Sequence, residues 1–113
     1  MRLVFTDSAV AAIKEQRAYY IQRHGSELAD RWHEAVTLAI DSLLTSPERG
    51  TLCGLTSPRL IGLRWIPIKK FPYRIFYRLE SNDGRLLRVV RVLHDRQDVS
   101  VLLRVSMRDA EAE

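Results

Sequence analysis

The chain has 113 residues, 46% of them apolar, with five Gly and four Pro, which suits one domain over 1–113 with an ordinary core and leaves no room for two. No run approaches the roughly 20 apolar residues of a membrane span, and Met1-Arg2-Leu3-Val4-Phe5-Thr6-Asp7 lacks the apolar stretch of a secretory signal, so a cytoplasmic protein with no membrane partner is expected. The net charge of +4 is unevenly spread: six basic and seven acidic residues up to Pro58, twelve basic and four acidic from Arg59 to Arg108, and three acidic among the last five.

Leu3-Val4-Phe5 reads as a short opening strand, and Thr6, Asp7 and Ser8 are three successive candidates to cap a helix. No Gly or Pro interrupts the chain between Asp7 and His24, where Ala9, Ile13, Tyr20 and Ile21, flanked by Val10 and Arg17, approximate one helical stripe. Gly25 then offers a left-handed stop and Ser26 a second cap. Leu28, Trp32, Ala35, Val36, Ala39, Ile40 and Leu43 recur at three- and four-residue steps, so a second helix runs until Pro47 and Gly50 end it. Residues 7–46 therefore form an antiparallel helical hairpin with a very short connection.

Thr51 to Pro58 reads as loop. Three strand-like segments follow within a meander over 60–94, namely Gly62 to Ile66, Tyr73 to Glu80 and Leu86 to His94. Pro67 and Pro72 bracket the first connection, and Ser81-Asn82-Asp83-Gly84 makes the second a hairpin turn. In the C-terminal segment 95–113, Asp98 is placed to cap a short helix over Val99 to Val105, ahead of an acidic tail. The predicted class is α+β: a short N-terminal strand, a helical hairpin packed on a twisted, mainly antiparallel sheet, and a short C-terminal helix.

Cys53 has no second cysteine to pair with, and His24, His33 and His94 lack metal-ligand spacing, so neither a metal nor a cofactor is expected. Fifteen of the eighteen basic residues are Arg, whose planar fork grips phosphate or carboxylate. Placing Glu80 against Arg85 sets Leu79 opposite Leu86, Ile75 opposite Val90 and Tyr73 opposite Val92. In that register Tyr77 and these pairs face the helices, with Arg88 laid against the Tyr77 ring. Arg74, Phe76 and Arg78 then share the other face with Leu87, Val89 and Arg91. Arg74 and Arg91 would stand directly opposite, a repulsive pairing that an anionic partner would relieve. A one-residue slip would exchange the two faces, so the register is itself a testable expectation.

The order of elements resembles the RelE/ParE toxin superfamily. Leu43-Leu44-Thr45-Ser46-Pro47-Glu48-Arg49-Gly50, Pro72-Tyr73-Arg74-Ile75-Phe76-Tyr77-Arg78 and Val90-Arg91-Val92-Leu93-His94-Asp95-Arg96-Gln97-Asp98 carry the resemblance. The last looks like the His-x-Arg-x-Asp signature of the ParE branch. RelE-like members cut messenger RNA in the ribosomal A site, whereas ParE-like members inhibit DNA gyrase without hydrolytic chemistry of their own.

By this resemblance Arg74 and Arg96 match the two arginines of the ribonucleases. Trp65, Pro67 and Leu102 stand where those enzymes carry two lysines and a tyrosine, and none of the three can substitute. His94 could serve as general acid in a histidine-dependent variant, or could bond the chain end to Asp95 or Asp98. The expectation is a ParE-like toxin that inhibits gyrase and is neutralised by a ParD-like or other ribbon-helix-helix antitoxin with an acidic segment; the alternative is a ribosome-dependent endoribonuclease using Arg74, Arg96 and His94 on mRNA. The antitoxin and target surface is expected to comprise Arg74, Arg78, Arg91, Lys69, Lys70 and two exposed tryptophans, Trp32 and Trp65.

Overall fold

Thr6 is the joint between the first strand and the first helix. Its buried hydroxyl accepts the Ala9 amide at 3.0 Å, capping the helix, and donates to the Val90 carbonyl at 2.7 Å. The computed structural model describes residues 1–54, 61–80 and 85–97. The expected turn at Ser81 to Gly84, the helix after Asp98 and the acidic tail lie outside the described residues.

Strand β1 (Arg2–Phe5) leads into helix α1 (Asp7–His24), and helix α2 (Ser26–Thr45) turns back at once. Gly25 alone connects them, at φ 91°, a backbone shape that a side chain would strain. It is the N-cap of α2 in place of the expected Ser26, and no side chain caps that end. Four strands follow: β2 (Thr51–Leu52), β3 (Arg64–Pro67), β4 (Tyr73–Glu80) and β5 (Leu86–His94). The sheet order is β1-β5-β4-β3-β2, with β1 parallel to β5 and the other neighbours antiparallel. The short edge strand β2 falls where a loop was expected. No described helix is long and apolar enough to cross a membrane.

The helices cover one face of the sheet. Trp32, Val36, Ile40 and Leu43 of α2 and Ala9, Ala12 and Tyr20 of α1 share a core with Ile66, Tyr73, Ile75, Tyr77, Leu87, Val89 and Val92. One member of the expected α1 stripe is outside it: Ile21 is 45% exposed, as the flanking Val10 is at 38%, and Ala12 is buried instead. The small residues Ala9 and Ala12 let the helix lie close to β5, which bulkier side chains would prevent.

The expected β4–β5 register is corrected twice, by a one-residue slip beside the turn, where Glu80 does not pair with Arg85, and by a bulge further along. Beside the turn Glu80 pairs with Leu86 and Tyr77 with Val89; beyond the irregularity at Phe76 and Tyr77, Phe76 pairs with Arg91, Ile75 with Val92 and Tyr73 with His94. One extra residue on β5 shifts its alternation by one while β4 keeps its own. The slip beside the turn sets Leu87 and Val89 toward the helices, whereas the bulge leaves Val90 with Leu63, Phe76 and Leu93 on the opposite face and returns Val92 to the helical side. Arg74 pairs with Leu93, so the direct opposition to Arg91 does not occur. Arg88 pairs with Arg78 rather than lying opposite Tyr77.

Candidate functional site

Arg74 is the centre of the outer sheet face. Its guanidinium carbon lies 5.3 Å from the Trp65 ring centre and 5.5 Å from that of Phe76, so the two rings of a cross-strand pair support one cation. Its Nε is 3.3 Å from Asp95 Oδ1 yet makes no hydrogen bond among the described residues, a contact in distance without the alignment. A recess of about 350 Å³ opens there, lined by Trp65, Pro67, Phe71, Tyr73, Arg74 and Asp95. Cys53 packs against this face, and burial pushes its thiol up from the ordinary value against the opposing pull of Arg74.

Further along the same face, Arg78 and Arg88 form a like-charged pair that Glu80 relieves. Its Oε2 is 2.8 Å from Arg88 Nε and 3.4 Å from Arg78 Nη2. An internal carboxylate thus does at this pair what an anionic partner was expected to do at Arg74 and Arg91. Arg91 is half-buried, and its Nε finds no hydrogen-bond partner among the described residues.

A larger groove of about 730 Å³ runs between α2 and the β3–β4 connection. Leu28, Ala35, Leu38, Ala39, Ile66 and Phe71 give it an apolar floor, with Leu38 61% exposed. Arg31, Arg49, Lys69 and Lys70 stand around it with Glu34 the one acid in its lining. Arg49 is carried by a helix exit that Arg64 and Tyr77 hold in place. Arg64 Nη1 donates to the carbonyls of Glu48 and Gly50 at 3.1 and 2.8 Å, and the Tyr77 hydroxyl donates to that of Pro47 at 2.7 Å. On the opposite rim, Phe71 N donates to Ile68 O, closing a turn in which Lys70 has φ 71°, a left-handed shape that favours glycine. An open apolar trough with a basic rim matches an amphipathic segment that bears carboxylates.

His94 belongs to the chain's structural framework. Its ring meets Tyr73 edge-on at 5.0 Å, its Nδ1 accepts the Arg96 amide at 3.0 Å, and its own amide donates to Gln97 Oε1 at 2.8 Å. His94 is thus tied to Arg96 and Gln97, the side chain of Asp95 is directed to Arg74 instead, and Asp98 lies outside the described residues. With Nδ1 engaged as acceptor, a neutral His94 carries its proton on Nε2. Arg96 is exposed, two residues beyond the ring.

The anticipated surface is thus divided. Lys69 and Lys70 line the α2 groove, Trp65 and Arg74 line the smaller recess, and Arg78 and Arg91 lie on the outer face of the sheet. Trp32 is corrected: it is fully buried, packed edge-on against Tyr73 at 5.5 Å and tilted against Tyr20 at 5.9 Å. Its place in the periodic stripe of α2 already favoured the core. Arg31, Arg49, Phe71 and Asp95 were not anticipated; the legible signal was Leu38, an apolar residue off the buried stripe of α2.

The family model described as "ParE toxin of type II toxin-antitoxin system, parDE" matches residues 3–99. Among solved structures, the chromosomal ParDE toxin–antitoxin system from P. aeruginosa is similar at a TM-score of 0.68 and 18% identity, covering 83% of this chain and 95% of that one. The intact E. coli RelBE complex is similar at 0.57 and 17%, covering 85% and 98%. The isolated E. coli RelE toxin is similar at 0.55 and 20%, covering 92% and 97%. At these identities the structures speak for a shared fold. No curated protein sequence gives a match.

Proposed function

The chain belongs to the ParE toxin family, the toxin component of type II toxin–antitoxin systems, and from that premise we propose that it arrests growth by binding DNA gyrase while a cognate ParD-like antitoxin silences it. The observation that carries this reading is the setting of Arg74. Its guanidinium rests on Trp65 and Phe76 beside Asp95, with Pro67 next along β3, so the surface offers one held cation on apolar walls. Such a surface grips an anionic or aromatic feature of a partner. Moving protons about a scissile phosphate needs a further donor and base, and the nearby histidine already uses its Nδ1 on the backbone. The α2 groove, basic at its rim and apolar along its floor, is the proposed seat of the antitoxin's acidic amphipathic segment.

The test is a supercoiling assay with purified gyrase and the full chain. Inhibition, with accumulation of cleaved DNA, is expected, and addition of the antitoxin should reverse it. Unimpeded supercoiling would overturn the gyrase reading. Cleavage of translated mRNA within codons, mapped by primer extension and lost in Arg74→Ala, would establish the ribosome-dependent ribonuclease in its place.

A further inference from the structure

The two recesses are not separate. Pro67 and Phe71 line both, so the α2 groove and the Arg74 recess meet across the β3–β4 connection, and an extended segment leaving the groove at its Lys69–Lys70 rim has a lined path to Arg74. We propose that the acidic partner segment follows that path, and that one of its carboxylates takes Arg74 over from Asp95. The proposal rests on the reading of the α2 groove as the antitoxin's seat and extends it to a second anchoring point.

Three observations carry it. The Arg74–Asp95 contact is an incomplete one: 3.3 Å long, without a hydrogen bond from Nε, and with an Asp95 side chain 52% exposed. The Asp95 backbone is meanwhile fixed, its amide donating to the Pro72 carbonyl at 2.9 Å, which limits how far its short side chain can move to improve the geometry. Arg74 itself is well supported, because Trp65 and Phe76 hold the guanidinium in place while its planar donor fork remains able to engage a carboxylate in two-point fashion. Arg78 and Arg88, by comparison, already share Glu80, the latter at 2.8 Å. Asp95 therefore behaves as a placeholder, keeping Arg74 partly neutralised until a better-aligned anion arrives. A partner anchored there also covers the cation that the toxin is proposed to present to its target, so blocking and binding become one event.

The probe is a synthetic acidic amphipathic peptide of about 20 residues, ~30 Å long when helical, titrated into the ¹⁵N-labelled full chain. Amide signals of Leu38 and Lys70 report the groove, and the indole signal of Trp65, assigned with Trp65→Phe, reports the recess. Both sets are expected to shift together. Asp95→Asn is expected to tighten binding by about two- to five-fold, the range for release of a partly exposed ion pair. Arg74→Gln should weaken binding and abolish that gain. If Leu38 and Lys70 shift while Trp65 and the Asp95→Asn affinity stay unchanged, the segment ends in the groove and the proposal is wrong, although the groove reading stands. If Asp95→Asn tightens binding equally in the Arg74→Gln background, the effect is one of net charge and the proposal is again overturned. If neither set shifts, both readings fall.

Discussion

The Tyr77 hydroxyl and the Gly50 amide are 2.9 Å apart, and a β-carbon at Gly50 would collide with that same phenol. The middle of β4 and the exit of α2 are thus fitted to each other by a hydrogen bond and by the absence of a side chain. Gly50→Ala is expected to destabilise the protein by about 1–3 kcal/mol, because the phenol is fully buried and cannot move aside. Tyr77→Phe should cost a similar ~1–3 kcal/mol, since the Gly50 amide and the Pro47 carbonyl both lose a partner. Urea denaturation checks both; unchanged midpoints would show that the loop relaxes freely.

Thr6 is the second joint whose removal should be felt. Thr6→Val keeps the shape but leaves the Ala9 amide and the Val90 carbonyl without the hydroxyl, at an expected cost of about 1–3 kcal/mol. Thr6→Ser should recover most of it. Hydrogen exchange in the first turn of α1 should rise in the valine variant and stay near normal in the serine one.

Lys70 sits at a left-handed turn position that glycine occupies without strain. Lys70→Gly is expected to leave stability unchanged or raise it by up to about 1 kcal/mol, while weakening antitoxin binding through loss of a rim charge. Charge reversal at Arg49 or Lys69, on opposite rims of the groove, should slow association several-fold, roughly in the manner of other rim charges, and more at low than at high salt. Surface plasmon resonance at two salt concentrations separates the cases; equal losses at both would contradict an electrostatic rim.

Alkaline pH should destabilise the fold through its buried phenols. Burial raises Tyr77 above its ordinary 10.0, and it raises Tyr73 likewise. Between the ordinary and the raised value the folded state holds the proton that the unfolded state has released. The contribution of these phenols is therefore complete below about pH 10 and is lost as the pH rises further. Thermal denaturation should be flat in this respect up to that point and decline above it, and Tyr73→Phe or Tyr77→Phe should make the decline shallower.

Local chemistry made much of this protein readable in one dimension. The apolar period of α2, the uninterrupted span from Asp7 to His24, the stop at Gly25, the proline brackets around the β3–β4 connection and the crowding of arginine into the second half all depend on neighbours within a turn or a pleat. So did the alternation along β4, whose odd-numbered residues do face the helices. What the sequence did not contain was the one-residue slip beside the β4–β5 turn, which exchanges the faces of Leu87 and Val89, or the bulge on β5 that puts Val90 on the outer face, because neither leaves a mark in an alternating pattern. The structure likewise decided the partners of the charges. Glu80 meets Arg88, and Asp95 meets Arg74 across 21 positions of the chain, because strand pairing brings distant residues together at distances that spacing along the chain does not encode. Composition placed an arginine-rich surface on the protein; only the packed sheet determined that Arg78 and Arg88 share a carboxylate while Arg74 rests, loosely paired, at the end of a groove.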